Sequence, residues 1–169
     1  RTTTLCQLLY SDIEGPLDPS IRGFRYSIGF VDDHSRFAWI YLMRHKSDAV
    51  HALNALMQDT MLPPTTPMVI QSDSEVVYTS GTFKDACFQY GITQRFSAPH
   101  YHEQNGRIER LWRTLMESVR AMLFAANLPS HFWGYAMKHA VFLYNIAKHS
   151  ATDGRTPFSI INGVEFDIS

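Results

Sequence analysis

The sequence predicts an α/β domain with a mixed five-stranded sheet flanked by helices. Three observations predict it. Residues 1 to 43 hold three β-rich runs, the last two in hairpin order. Helix and strand patterns then alternate as far as residue 96, and two long helical stretches follow.

LCQLLYSDI, residues 5 to 13, is a short apolar run that carries Asp12 near its end and stops at the Gly15-Pro16 turn. It reads as a strand. FRYSIGFVDD (24 to 33) and RFAWIYLM (36 to 43) are β-rich runs on either side of a tight turn at Asp33, His34 and Ser35, so they predict an antiparallel hairpin. Ser47 and Asp48 open a helix running to about Met61, with Ala49, Val50, Leu53, Leu56 and Met57 on one side and prolines at 63, 64 and 67 beyond its end. MVIQSD (68 to 73) is a buried strand that again ends in an aspartate. Ser80 caps a helix over 81 to 90 that Gly91 stops, and ITQRF (92 to 96) is the fifth strand. After the loop SAPHYHEQNG come helices over 107 to 125 and from Pro129 to about Ala147. The tail from about 150 to 169 reads as a Gly-rich, extended or irregular extension.

A length of 169 residues fits one domain with a sizeable core. A hydrophobic fraction of 45% with 18% charged residues excludes a disordered or fibrous chain. No apolar run approaches the ~18 residues of a membrane span, and no n-region plus h-region pattern marks a signal peptide, so no membrane partner is expected. The start at Arg1 rather than Met reads as a piece of a longer chain. Cys6 and Cys87 lack C-x-x-C spacing and read as buried thiols in a reducing compartment. The net charge of −1 argues against a strongly basic nucleic-acid binder, but its distribution is uneven. Arg95, Arg107, Arg110, Arg113 and Arg120 fall within 26 positions, whereas Asp12, Glu14, Asp18, Asp32, Asp33, Asp48 and Asp59 crowd the first half.

Asp12 and Asp73 each close an apolar strand. Carboxylates there repel one another unless a divalent cation lies between them. A third acid from a helix end would complete an all-oxygen site for Mg²⁺ or Mn²⁺. Glu109 is the candidate, with 35 residues between it and Asp73. It borders the apolar stripe Ile108, Leu111, Trp112, Leu115, Val119, Met122 and Leu123, and shares a face with Arg113, Met116 and Arg120. Those arginines form a track a phosphate backbone can follow, whereas Arg107 and Arg110 point more toward solvent. Structural readings stand beside these. Glu109 and Arg113 have the spacing of an ordinary helical ion pair, a single strand-end aspartate is commonly a turn cap, Asp32 and Asp33 suit the hairpin turn, and His100 and His102 suit a surface loop.

The motifs taken together resemble the catalytic core of retroviral-type integrases, most closely those of copia-type retrotransposons. They run in order through nearly the whole chain: D-x-x-G-P from Asp12, F-V-D-D-H-S-R (30 to 36), W-I-Y-L-M (39 to 43), K-S (46 and 47), Q-S-D (71 to 73), Y-x-S-x-x-F from Tyr78 and Y-G-I (90 to 92). Q-N-G-x-x-E-R (104 to 110), R-T-L (113 to 115), R-A-M-L (120 to 123), L-P-x-x-F-W (128 to 133) and T-P-F (156 to 158) complete the set.

The resemblance implies a ribonuclease H-like fold and an acid triad of Asp12, Asp73 and Glu109, which would serve as catalytic and metal-binding residues for two Mg²⁺ (or Mn²⁺) ions with DNA bound. It implies trimming of an element's 3′ end followed by strand transfer into target DNA. The loop from Tyr101 to Gly106 would lie beside the DNA end, which makes His102, Gln104, Asn105, Arg107, Arg113 and Arg120 candidate DNA contacts. A homodimer or higher oligomer, and location in the nucleus and a cytoplasmic retrotransposon particle, are expected on the same ground. The family pattern has Asn and Gly after the second aspartate and Glu before the following aromatic residue; Ser74, Glu75 and Val77 stand there instead. Those departures carry an alternative expectation, an integrase-derived module that binds DNA or dimerises without cutting it. A ribonuclease H or junction nuclease on the same fold fits the Q-N-G-x-x-E-R and L-P-x-x-F-W segments less well.

Overall fold

Five strands form one sheet in the order β3-β2-β1-β4-β5 in the computed structural model, which describes residues 2–59, 61–62, 68–97 and 106–166. β1 (Leu8–Glu14), β2 (Tyr26–Asp32) and β3 (Ala38–Met43) pair antiparallel, while β4 (Val69–Ser72) and β5 (Thr93–Phe96) run parallel to β1. The sheet is mixed and five-stranded, as expected.

The β2–β3 turn explains the two hairpin aspartates. Asp32 is fully buried, and its carboxylate accepts from the Ser35 N–H (2.8 Å), the Ser35 hydroxyl (2.7 Å) and the Cys6 N–H (3.0 Å). Three donors satisfy a buried carboxylate that would otherwise be costly. α1 (Ala49–Met57) follows one 3₁₀ turn at Lys46–Asp48 and carries the chain across to β4. It ends at Met57, four residues earlier than the pattern predicts, and the chain continues through hydrogen-bonded turns that bring Leu62 N–H to the Asp59 carbonyl. A single helical turn, α2 (Val76–Thr79), precedes α3 (Gly81–Gln89) and was not legible. Ser80 caps α3 by accepting from the Phe83 N–H, and Gly91 leaves it with φ of 66°.

Strand alternation sorts the core into two layers. Leu9, Ile13, Ile28, Phe30 and Ile70 face α1 and α3. Tyr10, Val31 and Ala38 face α4 (Gly106–Ala125) and α5 (Trp133–Ile146). α4 buries Ile108, Leu111, Trp112, Leu115 and Val119, with Met122 and Leu123 half-buried, so the predicted stripe is the one that packs.

The tail departs from expectation. Residues 157 to 162 form α6 (Pro157–Asn162) rather than irregular chain. Thr156 caps it by accepting from the Ser159 N–H, Pro157 takes the first helical position, and Gly163 ends it at φ of 72°. Those stop and start signals are present in the sequence, but six residues are too few to display a periodicity.

Gly29 sits directly opposite Asp12 in the β1–β2 register. A Cβ there would lie 2.9 Å from both Ile40 Cδ1 and Trp112 Cζ2, and 3.2 Å from Ile108 Cδ1. α4 therefore rests on bare backbone at this point. Gly29→Ala is expected to cost about 1–3 kcal/mol through overpacking. Chemical denaturation checks this against Gly81→Ala, where a Cβ meets nothing within 4 Å and the change should be near zero.

Candidate functional site

Tyr10, Asp12 and Glu14 alternate onto the α4 face of β1. Asp73 follows the last residue of β4 and is exposed. The parallel register runs from Leu8 opposite Val69 to Tyr10 opposite Gln71. Carried two positions further, it sets Asp12 level with Asp73.

The electrostatics agree. Burial pushes the Asp12 carboxyl up to about 7, and the charges of Asp73, Glu14 and Glu75 push it the same way against the opposing effect of a backbone hydrogen bond at Ile13. Glu109 lies in the first turn of α4. With Asp12, Glu14, Trp112, Arg113 and Arg120 it lines an open depression of about 310 Å³. The structure thus brings Asp12 to Asp73 along the sheet edge, and Asp12 to Glu109 across the depression. Asp73 is not part of that lining, and among the described residues no group of three or more His, Cys, Asp and Glu is gathered to hold a metal ion. The donors at Asp12 and Asp73 suit a hard divalent cation: they are all oxygen, and their repulsion is what a cation between them would relieve.

Of the candidate DNA contacts, Arg113 and Arg120 line the depression as the helix geometry requires. His102, Gln104 and Asn105 lie outside the described residues. Arg107 does not point to solvent. Its guanidinium pairs with the carboxylate of Asp33, which is 2% exposed, and lies 5.4 Å over the Tyr10 ring. A buried carboxylate beside an aromatic face draws the guanidinium inward.

Sequence reasoning missed Lys46 and Glu14. Lys46 Nζ pairs with Glu75, whose hydrogen bond raises the lysine pKa, and Asp73 adds to that effect. Glu75, one of the departures from the family pattern, is therefore held by a cation rather than left as an extra negative charge. Val77, where the pattern has a glutamate, packs half-buried against the α1/α3 core. Nothing in the sequence periodicity links positions 46 and 75. Beneath the site, the Ser11 and Tyr78 hydroxyls are 2.8 Å apart and buried, tying α2 to β1 one residue before Asp12.

A carboxyl raised from 3.8 to about 7 binds its proton more tightly in the folded than in the unfolded chain, so metal-free stability falls as the pH rises through that window. Asp12→Asn is expected to raise the melting temperature of the metal-free chain at pH 8 by roughly a few degrees and to change it little at pH 4. Thermal melts in chelator at both pH values check this, and a lowered melting temperature at pH 8 would rule out the electrostatic strain.

The integrase core domain family matches residues 7–102. The chain is 35% identical over 152 residues to the retrovirus-related Pol polyprotein from transposon TNT 1-94 of Nicotiana tabacum, a match covering 86% of this chain and 11% of that polyprotein. The chain thus spans about a tenth of that relative's length. Among solved structures it is similar to a chain of the simian T-cell lymphotropic virus intasome in complex with PP2A regulatory subunit B56 gamma, with a TM-score of 0.80 at 18% identity, covering 99% of this chain and 58% of that one. It is also similar to the HTLV-2 integrase catalytic core domain in complex with magnesium (trimeric form), with a TM-score of 0.71 at 17% identity, covering 96% and 100% respectively. These likenesses show the ribonuclease H-like fold.

Proposed function

The chain belongs to the integrase core domain family of retrotransposon and retroviral Pol polyproteins, and from that membership we propose that it is the catalytic core of a copia-type integrase, a divalent-metal-dependent polynucleotidyl transferase. It would trim the 3′ end of the element's DNA and join that end to target DNA. The observation that carries the reading is the pair Asp12 and Asp73 on adjacent parallel strands, with Asp12 pushed up to about 7 by burial and by neighbouring carboxylates. A site arranged this way is primed for a cation.

In this proposal Asp12 and Asp73 hold the ions, and Glu109 closes the site from α4. Two bound Mg²⁺ or Mn²⁺ ions would supply the positive charge that activates the attacking oxygen and stabilises the leaving one. Arg113 and Arg120, one and three turns beyond Glu109, hold the phosphate backbone across the depression and orient the scissile bond. Trp112 forms part of its wall and keeps α4 seated on the sheet. The magnesium-bound and intasome neighbours support Mg²⁺, DNA and self-association as the partners.

The alternative, a module that binds DNA without cutting it, is favoured by one observation: Glu109 is not gathered with the two aspartates into a three-ligand cluster. Titration of Mg²⁺ or Mn²⁺ by calorimetry, with and without a duplex carrying the element's end, separates the two. Under the enzymatic reading the wild type binds metal and joins strands, and Asp73→Asn and Glu109→Gln each lower strand joining by at least ~100-fold while DNA affinity in chelator is kept. Strand joining by Glu109→Gln at the wild-type rate would remove Glu109 from the site.

A further inference from the structure

α4 has a second polar flank that the proposed active site does not use. At about 100° per residue, Arg107, Arg110 and Thr114 centre about 120° from Glu109, Arg113, Met116 and Arg120 around the solvent side of the helix, and the buried stripe fills the wider arc on the other side. On that flank a groove of about 450 Å³ opens between α4, the β2–β3 turn and the segment after α5. Arg36, Arg107, Arg110, Tyr144, His149 and Ser150 line it, and no carboxylate is among the described lining residues.

Two features show that the arginines are positioned. Arg36 and Arg107 reach the same Asp33 carboxylate, Arg36 Nη1 at 3.4 Å, so one buried acid orients two guanidiniums. Arg36 also holds a φ of 67°, a backbone conformation that favours glycine. Keeping a long cationic side chain at such a position points to use of that side chain. On the opposite wall, His149 Nε2 lies 2.8 Å from the Tyr144 carbonyl and the two rings pack tilted at 47° with centroids 4.4 Å apart, which fixes the imidazole.

We propose that this groove is a second phosphate site, on the flank of α4 away from Asp12, that holds the backbone of a separate DNA segment. The reading of the chain as a DNA-handling core underlies it. Guanidinium forks match phosphate oxygens. From Arg107 to Thr114 the polar positions spread over about 10 Å of helix rather than converging on one point, which suits successive phosphates along a strand better than one small anion. The near-neutral net charge does not oppose this, because backbone binding depends on local cation density.

The test uses the intact chain in chelator, with a labelled duplex of about 30 bp, measured by anisotropy across roughly 50–200 mM salt. Arg107 is avoided because removing it would leave Asp33 buried with one partner fewer. Arg110→Glu and Ala151→Glu, both at exposed positions lining the groove, are each expected to weaken duplex binding by about 10-fold and flatten its salt slope by about one. Lys84→Glu, exposed on α3, should change affinity less than about 2-fold. A thiol introduced as Ala151→Cys should cross-link to a duplex bearing a tethered thiol, since Cys6 and Cys87 are buried. Groove variants that behave like Lys84→Glu would overturn the proposal. So would pyrophosphate binding that Arg110→Glu abolishes while duplex affinity stays unchanged, which would mark a small-anion site. Asp12→Asn, which should lose metal-dependent strand joining while keeping duplex affinity in chelator, distinguishes failure of the groove from failure of the active-site reading.

Discussion

The contact of α4 with the bare backbone of Gly29 is the constraint on which the candidate site depends. Gly29 is the register partner of Asp12, so the strand position that lets the helix approach is the one beside the acid. Trp112 and Ile108 fill the space a side chain would take. Because Glu109 lies between those two residues in sequence, seating them fixes where Glu109 emerges. The packing that stabilises the domain and the placement of the third carboxylate are one event, and a helix set back by an ångström would widen the depression between Asp12 and Glu109.

Electrostatics sets the opposite demand. Asp12 is held where its charged form is disfavoured, by burial first and by three nearby carboxylates second. Lys46, in the 3₁₀ turn before α1, answers part of that charge through Glu75 and feels Asp73. In the proposed enzyme, a bound divalent cation would offset this accumulated negative charge. Glu75 moderates it. Replacing the family's glycine with an acid would add repulsion if the side chain were left alone; tied to Lys46, it is partly neutralised by a partner in the K-S motif.

Most of this was legible because strands and amphipathic helices repeat. Short apolar and β-rich runs bounded by turns identified β1 to β5 and put Asp12 and Asp73 at strand ends, and the 3.6-residue stripe of α4 placed Glu109 with Arg113 and Arg120 at its border. Short elements were not legible. α2 and α6 have four and six residues, too few for a period; caps announce α6, while α2 has no side-chain cap. Pairings between distant residues were also hidden. Arg107 was read as solvent-facing from its helix angle, whereas Asp33, 74 positions away, draws it inward. Helix angle specifies the direction in which a side chain leaves the backbone, not the partner that a long flexible side chain finds.

That distinction explains why one helix can have two cationic flanks of different character. Arg113 and Arg120 look across a depression at carboxylates, so in the proposed enzyme their charge works beside metal and reacting phosphate. Arg107 and Arg36 are held by the buried Asp33, Arg110 stands exposed beside them, and the described lining of the groove carries no carboxylate. A reacting strand must be released or joined within a turnover, and a site for it gains from attraction moderated by nearby negative charge. A segment that is only gripped needs no such moderation. The absence of carboxylates from the described lining of the second groove fits gripping, and their presence in the first fits reaction.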